Sequence, residues 1–156
     1  MKAATIKDIK TELNELSTKE LQDLCLRLSR FKLENKELLT YLLFDSHNES
    51  QYIENVKNYI DTEFLAINTK SIFYIKKSVR KILKNVKKYI RYSQNKATEA
   101  ELLIYFCKKL KHFKPSIKRS TQLQNLYNRQ LLQAKKRIDT LHEDLQYDYN
   151  LLIEKL

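Results

Sequence analysis

Glycine is absent from all 156 residues, tryptophan is absent too, and proline occurs once, at Pro115. Tight β-turns lean on glycine and Asn-Gly for positive-φ backbone, so a glycine-free chain of this length is hard to build as a sheet and easy to build as helices. The same absence rules out a glycine-rich phosphate-binding loop. There are only two cysteines, Cys25 and Cys107. Their isolation resembles neither a disulfide framework nor a metal knuckle, and both fall in apolar helical patterns, where buried, reduced thiols are expected. Long hydrophobic runs are missing as well. The longest, LLIYFC at 102–107, is too short to span a membrane. The opening MKAATIKDIKTEL carries lysines but no apolar core of a secretory signal, so the expected location is cytoplasmic.

What the chain does contain is a succession of helix starts. Thr5 with Asp8, and Ser17 with Glu20, have the spacing of capping boxes, and Leu16 is placed to staple to Leu21. Asn35 is expected to cap a third helix, KELLTYLLF, and Asn48 with Gln51 a fourth. Residues 71–92 form a fifth, and Thr98 with Glu101 opens a sixth that Pro115 terminates. A last helix begins near Ser120. Its apolar positions Leu123, Tyr127, Leu131, Ala134, Ile138, Leu141 and Leu145 step by fours and threes, close to a coiled-coil seam. The expected fold is all-α, one domain over 1–156, as a single compact helical bundle or a short α-solenoid-like array of about six to seven helices. The array is suggested by an internal echo, ELLTYL at 37–42 against ELLIYF at 101–106. Short leucine-rich helices also resemble each other by chance, and the bundle is the simpler expectation.

Acidic residues are scarce in the middle of the chain. Residues 1–63 carry nine Lys and Arg against twelve Asp and Glu. Residues 64–138 carry twenty against two, and residues 139–156 carry one against five, giving the overall net charge of +11. Within SIFYIKKSVRKILKNVKKYIRY, 71–92, there are eight bases and no acid. At about 100° per residue, its Ile, Val and Leu positions fall in an arc of roughly 120°, and its cations in a neighbouring arc of roughly 140°. Like charges three and four residues apart cost roughly 0.2–0.5 kcal/mol per pair when unscreened, and no acid is mixed in to offset it. A second acid-free stretch, 108–120, adds six cations, and Lys135, Lys136 and Arg137 add a third patch.

Three accounts of this layout compete. The cations bind a polyanion such as a nucleic-acid backbone. Alternatively, the acidic ends fold back on them, through Glu54, Asp61 and Glu63 or through Asp139, Glu143, Asp144 and Asp148. Or the composition, rich in Lys, Ile, Asn and Tyr, simply drifts as it does in AT-rich genomes. Seven net negative charges at the ends cannot neutralise eighteen positive ones, so a surplus is expected at the surface. The candidate polyanion-binding residues are Lys76, Lys77, Arg80, Lys81, Lys84, Lys87, Lys88 and Arg91, with Lys108, Lys111, Lys118 and Arg119. Sequence-specific reading is not expected: no zinc finger, homeodomain or ribonucleoprotein motif is present, and SQNKAT is too long for a helix-turn-helix linker. Tyr74 and Tyr92 lie off the apolar arc and are the aromatic side chains best placed to stack on a base, although crowding at the core edge is the plainer expectation.

Catalytic chemistry has little support. His142 has Asp139 one helical turn away, but no facing helix repeats a Glu-x-x-His pair, and His47 has Asp45 and Glu49 beside it in a polar stretch expected to be a hydrated loop. No enzyme activity, cofactor, metal or small-molecule substrate is expected. The partners to weigh are nucleic acid or another polyanion, an acidic protein, or a second copy of the chain joined through its C-terminal helix. The runs ELQDLCLRLSRFKLENKELLTYLLF, ELLIYFCKKLK and LHEDLQYDY resemble a small group of all-helical bacterial proteins with no assigned activity. That resemblance implies a bacterial cytosolic protein and brings no functional residue with it.

Overall fold

A computed structural model describes residues 2–156. It contains eight α-helices and, among the described residues, no strand: α1 (Ile6–Asn14), α2 (Thr18–Phe31), α3 (Leu33–Thr40), α4 (Glu49–Leu65), α5 (Ile72–Ser93), α6 (Lys96–His112), α7 (Thr121–Ile138) and α8 (Glu143–Glu154). A π-helical turn, Tyr41–Asp45, follows α3, and a 3-10 turn, Ile117–Arg119, precedes α7. The all-α class is as expected. The extra helix arises at 139–142, where the helix expected to run from Ser120 through Leu145 breaks. Thr140 Oγ1 donates to the Arg137 carbonyl at 2.7 Å, and Gln146 Nε2 donates to the carbonyls of Leu141 at 2.8 Å and Asp139 at 3.4 Å. Those bonds satisfy backbone groups that the helix would otherwise use.

The caps explain most boundaries. Thr5 with Asp8 and Ser17 with Glu20 form the two expected capping boxes, and Asn48 Oδ1 accepts from the Gln51 amide at 3.2 Å. Two caps differ from expectation. Asn35 lies inside α3 and donates to the Leu28 carbonyl at 2.8 Å, closing the end of α2 instead of opening a helix. Asn95, not Thr98, caps α6, accepting from the amides of Ala97 and Thr98. Thr98 is buried, and its hydroxyl donates to Glu49 Oε1 at 2.6 Å.

The helices form two compact units, Met1–Phe44 and Asp45–Leu156. In the first, α2 packs on α3, and many large apolar side chains remain in water, among them Phe31, Leu33, Leu43 and Phe44. In the second, α6 is the central element: it packs against α4, α5, α7 and α8, most extensively against α7. Leu102, Leu103, Phe106, Cys107 and Leu110 on α6 are fully buried, and Ile60, Val79, Val86, Leu123 and Ile138 from its neighbours close the core. The α7 seam is therefore spent on α6. The ELLIYF segment is regular helix inside α6, whereas Tyr41 of ELLTYL begins the π-helical turn, so the two segments differ in local structure.

A polar network ties α4, α6 and α8 together. Lys57 pairs with Glu101 at 2.7 Å and Glu54 at 2.8 Å, and Tyr149 donates to Glu101 Oε2 at 3.1 Å. Burial alone would lower the Lys57 ammonium, but the two carboxylates hold it above the usual lysine range. Asp61 accepts from Tyr105 at 2.8 Å and pairs with Lys109 at 2.9 Å. These groups satisfy one another.

Candidate polyanion interface

The apolar stripe of α5 turns inward as its spacing requires: Ile75, Val79, Ile82, Leu83, Val86 and Ile90 are all buried. Two neighbours flank the helix and fix which cations face water. On one side α4 runs antiparallel, with Glu63 near Lys81 at 3.7 Å, Tyr59 accepting from Asn85 Nδ2 at 2.6 Å, and Tyr52 donating to the Tyr89 carbonyl at 2.9 Å. On the other side α7 runs parallel and reaches α5 through long side chains. Arg80 donates to Gln122 Oε1 at 3.1 Å, and Lys87 Nζ to Gln133 Oε1 at 3.2 Å. Between these flanks lies the cationic arc.

Each expected residue of α5 can now be placed. Lys77, Arg80, Lys81, Lys84 and Arg91 are exposed, and Lys76, Lys87 and Lys88 are half-buried at the margins. Lys88 lies over the Tyr89 ring at 5.1 Å. Among the described residues, Lys76, Lys77, Lys84 and Arg91 form no ion pair, and Lys81 has the loose contact with Glu63. Arg80 and Lys87 are oriented by glutamines, which take a hydrogen bond without cancelling charge. Most of the acids expected to cover this face do not reach its cations. Of Glu54, Asp61 and Glu63, only Glu63 reaches α5; Glu54 is engaged by Lys57 and Asp61 by Lys109. Asp139, Glu143, Asp144 and Asp148 reach none of its cations.

The second expected group collects elsewhere. Lys111 and Lys118 line a hollow of about 490 Å³ with His112, Gln124, Tyr127 and Asn128. Lys108 and Arg119 are exposed nearby in sequence, on α6 and on the 3-10 turn. Of the two tyrosines considered for stacking, Tyr74 is exposed beside Phe73, but Tyr92 is buried, with its ring 6.2 Å from that of Tyr89. Tyr92 is thus a packing residue.

The histidine readings do not gain a site. His142 caps α8, its Nδ1 3.4 Å from the Asp144 amide, and Asp139 caps α7, so the helical turn expected to join them is broken. No grouping of three or more His, Cys, Asp or Glu fit to hold a metal occurs among the described residues, and no helix there is long and apolar enough to cross a membrane. Of the two cysteines expected to be buried, Cys107 is and Cys25 is not. Cys107 is fully buried, its thiol pushed up to about 12 by desolvation, while Cys25 is exposed.

One feature was invisible in the linear pattern. Where α5 ends and α6 begins, Lys87, Arg91, Lys96 and Arg137 line a cleft of about 590 Å³ together with Ile90, Gln94, Asn95, Glu99 and Gln133. Lys96 and Arg137 each carry a visible charge in the sequence, but only the packing of α6 on α7 brings them to one place. Comparison of the chain with models of known families, with curated proteins and with solved structures finds no match.

Proposed function

We propose that this protein binds a polyanion, most simply the phosphate backbone of a nucleic acid, through the basic face of α5, without reading sequence and without catalysing a reaction. The observation that supports this most is the manner in which the cations are held. Arg80 and Lys87 are positioned by neutral glutamines, and Lys77, Lys84 and Arg91 face water without an acid partner. From residue 77 to residue 91 the face extends roughly 21 Å at 1.5 Å per residue. Along a duplex axis that length corresponds to about six base-pair steps of 3.4 Å. Lys108, Lys111, Lys118 and Arg119 extend the cationic surface.

The test is fluorescence anisotropy with two unrelated 20-mers at low salt. Both are expected to bind with affinities within about threefold, and Lys77→Gln/Lys84→Gln/Arg91→Gln is expected to weaken both alike, as phosphate contacts do. Absence of binding at low salt, or binding that the triple variant leaves unchanged, would remove the proposal.

A second reading is self-association; with the seam expected to serve it packed on α6, the reading passes to α8, and one observation favours it. On α8, Leu145, Tyr147, Leu151 and Leu152 remain exposed. Sedimentation equilibrium decides it. A mass that rises toward that of a dimer with concentration, and falls back in Leu151→Lys/Leu152→Lys, supports it; a constant monomer mass rules it out.

A further inference from the structure

The cleft at the α5–α6 junction has a construction that a merely solvated surface does not need. Glu99 is buried, and its two oxygens are both used: Oε1 accepts from Gln133 Nε2 at 2.7 Å, and Oε2 lies 2.7 Å from Arg137 Nε. Gln133 in turn accepts from Lys87 at 3.2 Å. A single chain of contacts, Lys87 to Gln133 to Glu99 to Arg137, therefore crosses α5, α7 and α6 and fixes two cations at the cleft wall. One carboxylate can occupy at most two of the five guanidinium N–H donors, so Arg137 keeps at least three for another partner. Arg91 and Lys96 line the same cleft and form no ion pair among the described residues. Four cations thus face one carboxylate that is already engaged.

We infer that this cleft binds a phosphate monoester, the terminal phosphate of a nucleotide. A monoester carries about −1.5 to −2 charges at pH 7 and three acceptor oxygens, which suits guanidinium forks backed by ammonium groups. A diester carries one charge and fewer free oxygens. The 590 Å³ volume falls within the usual range for small-ligand sites and admits a sugar and base as well as the phosphate. Ile90 supplies an apolar patch on the wall. The α6 N-terminus does not carry the inference, because Asn95 already accepts from the amides of Ala97 and Thr98. The inference rests on the proposed cationic face, with which the cleft shares Lys87 and Arg91, and assigns to it the end of a phosphorylated strand or a free mononucleotide.

The experiment uses the full chain, labelled with ¹⁵N, and follows its amide and arginine Nε resonances while inorganic phosphate replaces chloride at constant ionic strength. Saturable shifts are expected in residues 91–99 and at Arg137 Nε, and Lys96→Gln and Arg91→Gln, both at exposed positions, are each expected to weaken phosphate two- to fivefold. Shifts that never saturate, or that ignore both substitutions, overturn the inference. A mononucleotide that binds as tightly as a 5′-phosphorylated 10-mer identifies the free nucleotide as ligand; a tighter 10-mer identifies the strand end. If a 5′-hydroxyl 10-mer binds equally well, the cleft fails while the α5 face stands. If phosphate saturates the cleft but no strand binds, the face fails and the cleft stands.

Discussion

Gln94 adopts φ 54°, the left-handed conformation at the end of α5, where a side chain is normally unfavourable. Many helices place glycine at such a position, and this chain has none to place. Gln94→Gly is expected to raise stability by about 1 kcal/mol, measured by urea unfolding; a loss of stability would show that the side chain repays its own strain. The thiols give a second check. At pH 8 a thiol reagent should modify Cys25 readily and Cys107 only after unfolding, since Cys107 is fully buried with its pKa near 12. Tyr149 is likewise pushed up to about 12, first by burial and then by the Glu101 carboxylate. Both groups favour the neutral form when folded, so their stabilisation is complete below their ordinary values of 9.0 and 10.0. It is lost as pH rises toward 12. Unfolding free energy should therefore fall across that window, and less steeply in Cys107→Ala; a flat profile would contradict the burial of both groups. The sequence marked Cys25 and Cys107 alike as core cysteines, because helical periodicity reports a position on a helix face and not what covers that face. Tyr92, off the apolar arc of α5, is buried and packed beside Tyr89, as the plainer expectation of crowding at the core edge had it, and not free to stack on a base.

At the scale of the helix, α5 was the most legible element. Its pattern of an apolar arc beside a cationic one survives in the structure because the same periodicity sets both which residues pack and which face water. The face carries a cost that can be measured. Lys84 has Arg80, Lys81, Lys87 and Lys88 at three- and four-residue spacing, so Lys84→Glu should turn repulsion into attraction. Stability is expected to rise by about 1 kcal/mol in low salt, while polyanion affinity falls. Equal stability at low and high salt in both proteins would show that the repulsion is already neutralised. The end of α7 was illegible by comparison. Ile138, Leu141 and Leu145 continue the apolar spacing across a break that contains neither glycine nor proline, and the bonds that end the helix come from Thr140 and Gln146. Side-chain to backbone competition of this kind leaves no periodic trace. On α6, Phe106→Ala should cost about 3–5 kcal/mol in urea unfolding, because Phe106 is fully buried on the helix that four others contact.

Across the whole chain, the three charge blocks were readable from the sequence, and so was their arithmetic: the acids of 1–63 and 139–156 are too few to cancel the bases of 64–138. What could not be read was the partnering. Only the folded chain shows that glutamines, and not acids, meet Arg80 and Lys87, or that Arg137 joins Arg91 and Lys96 around one cleft. Those contacts join residues more than 40 positions apart, and their register depends on the packing of α6 between its neighbours. The most direct measurement is the salt dependence of binding to a duplex of unrelated sequence. If five exposed cations of α5 each displace counterions, log K should fall with log salt with a slope of about −4 to −5, and the Lys77→Gln/Lys84→Gln/Arg91→Gln variant should flatten it by about 2 to 3. No binding at low salt, or a slope that the three substitutions leave unchanged, would contradict the account.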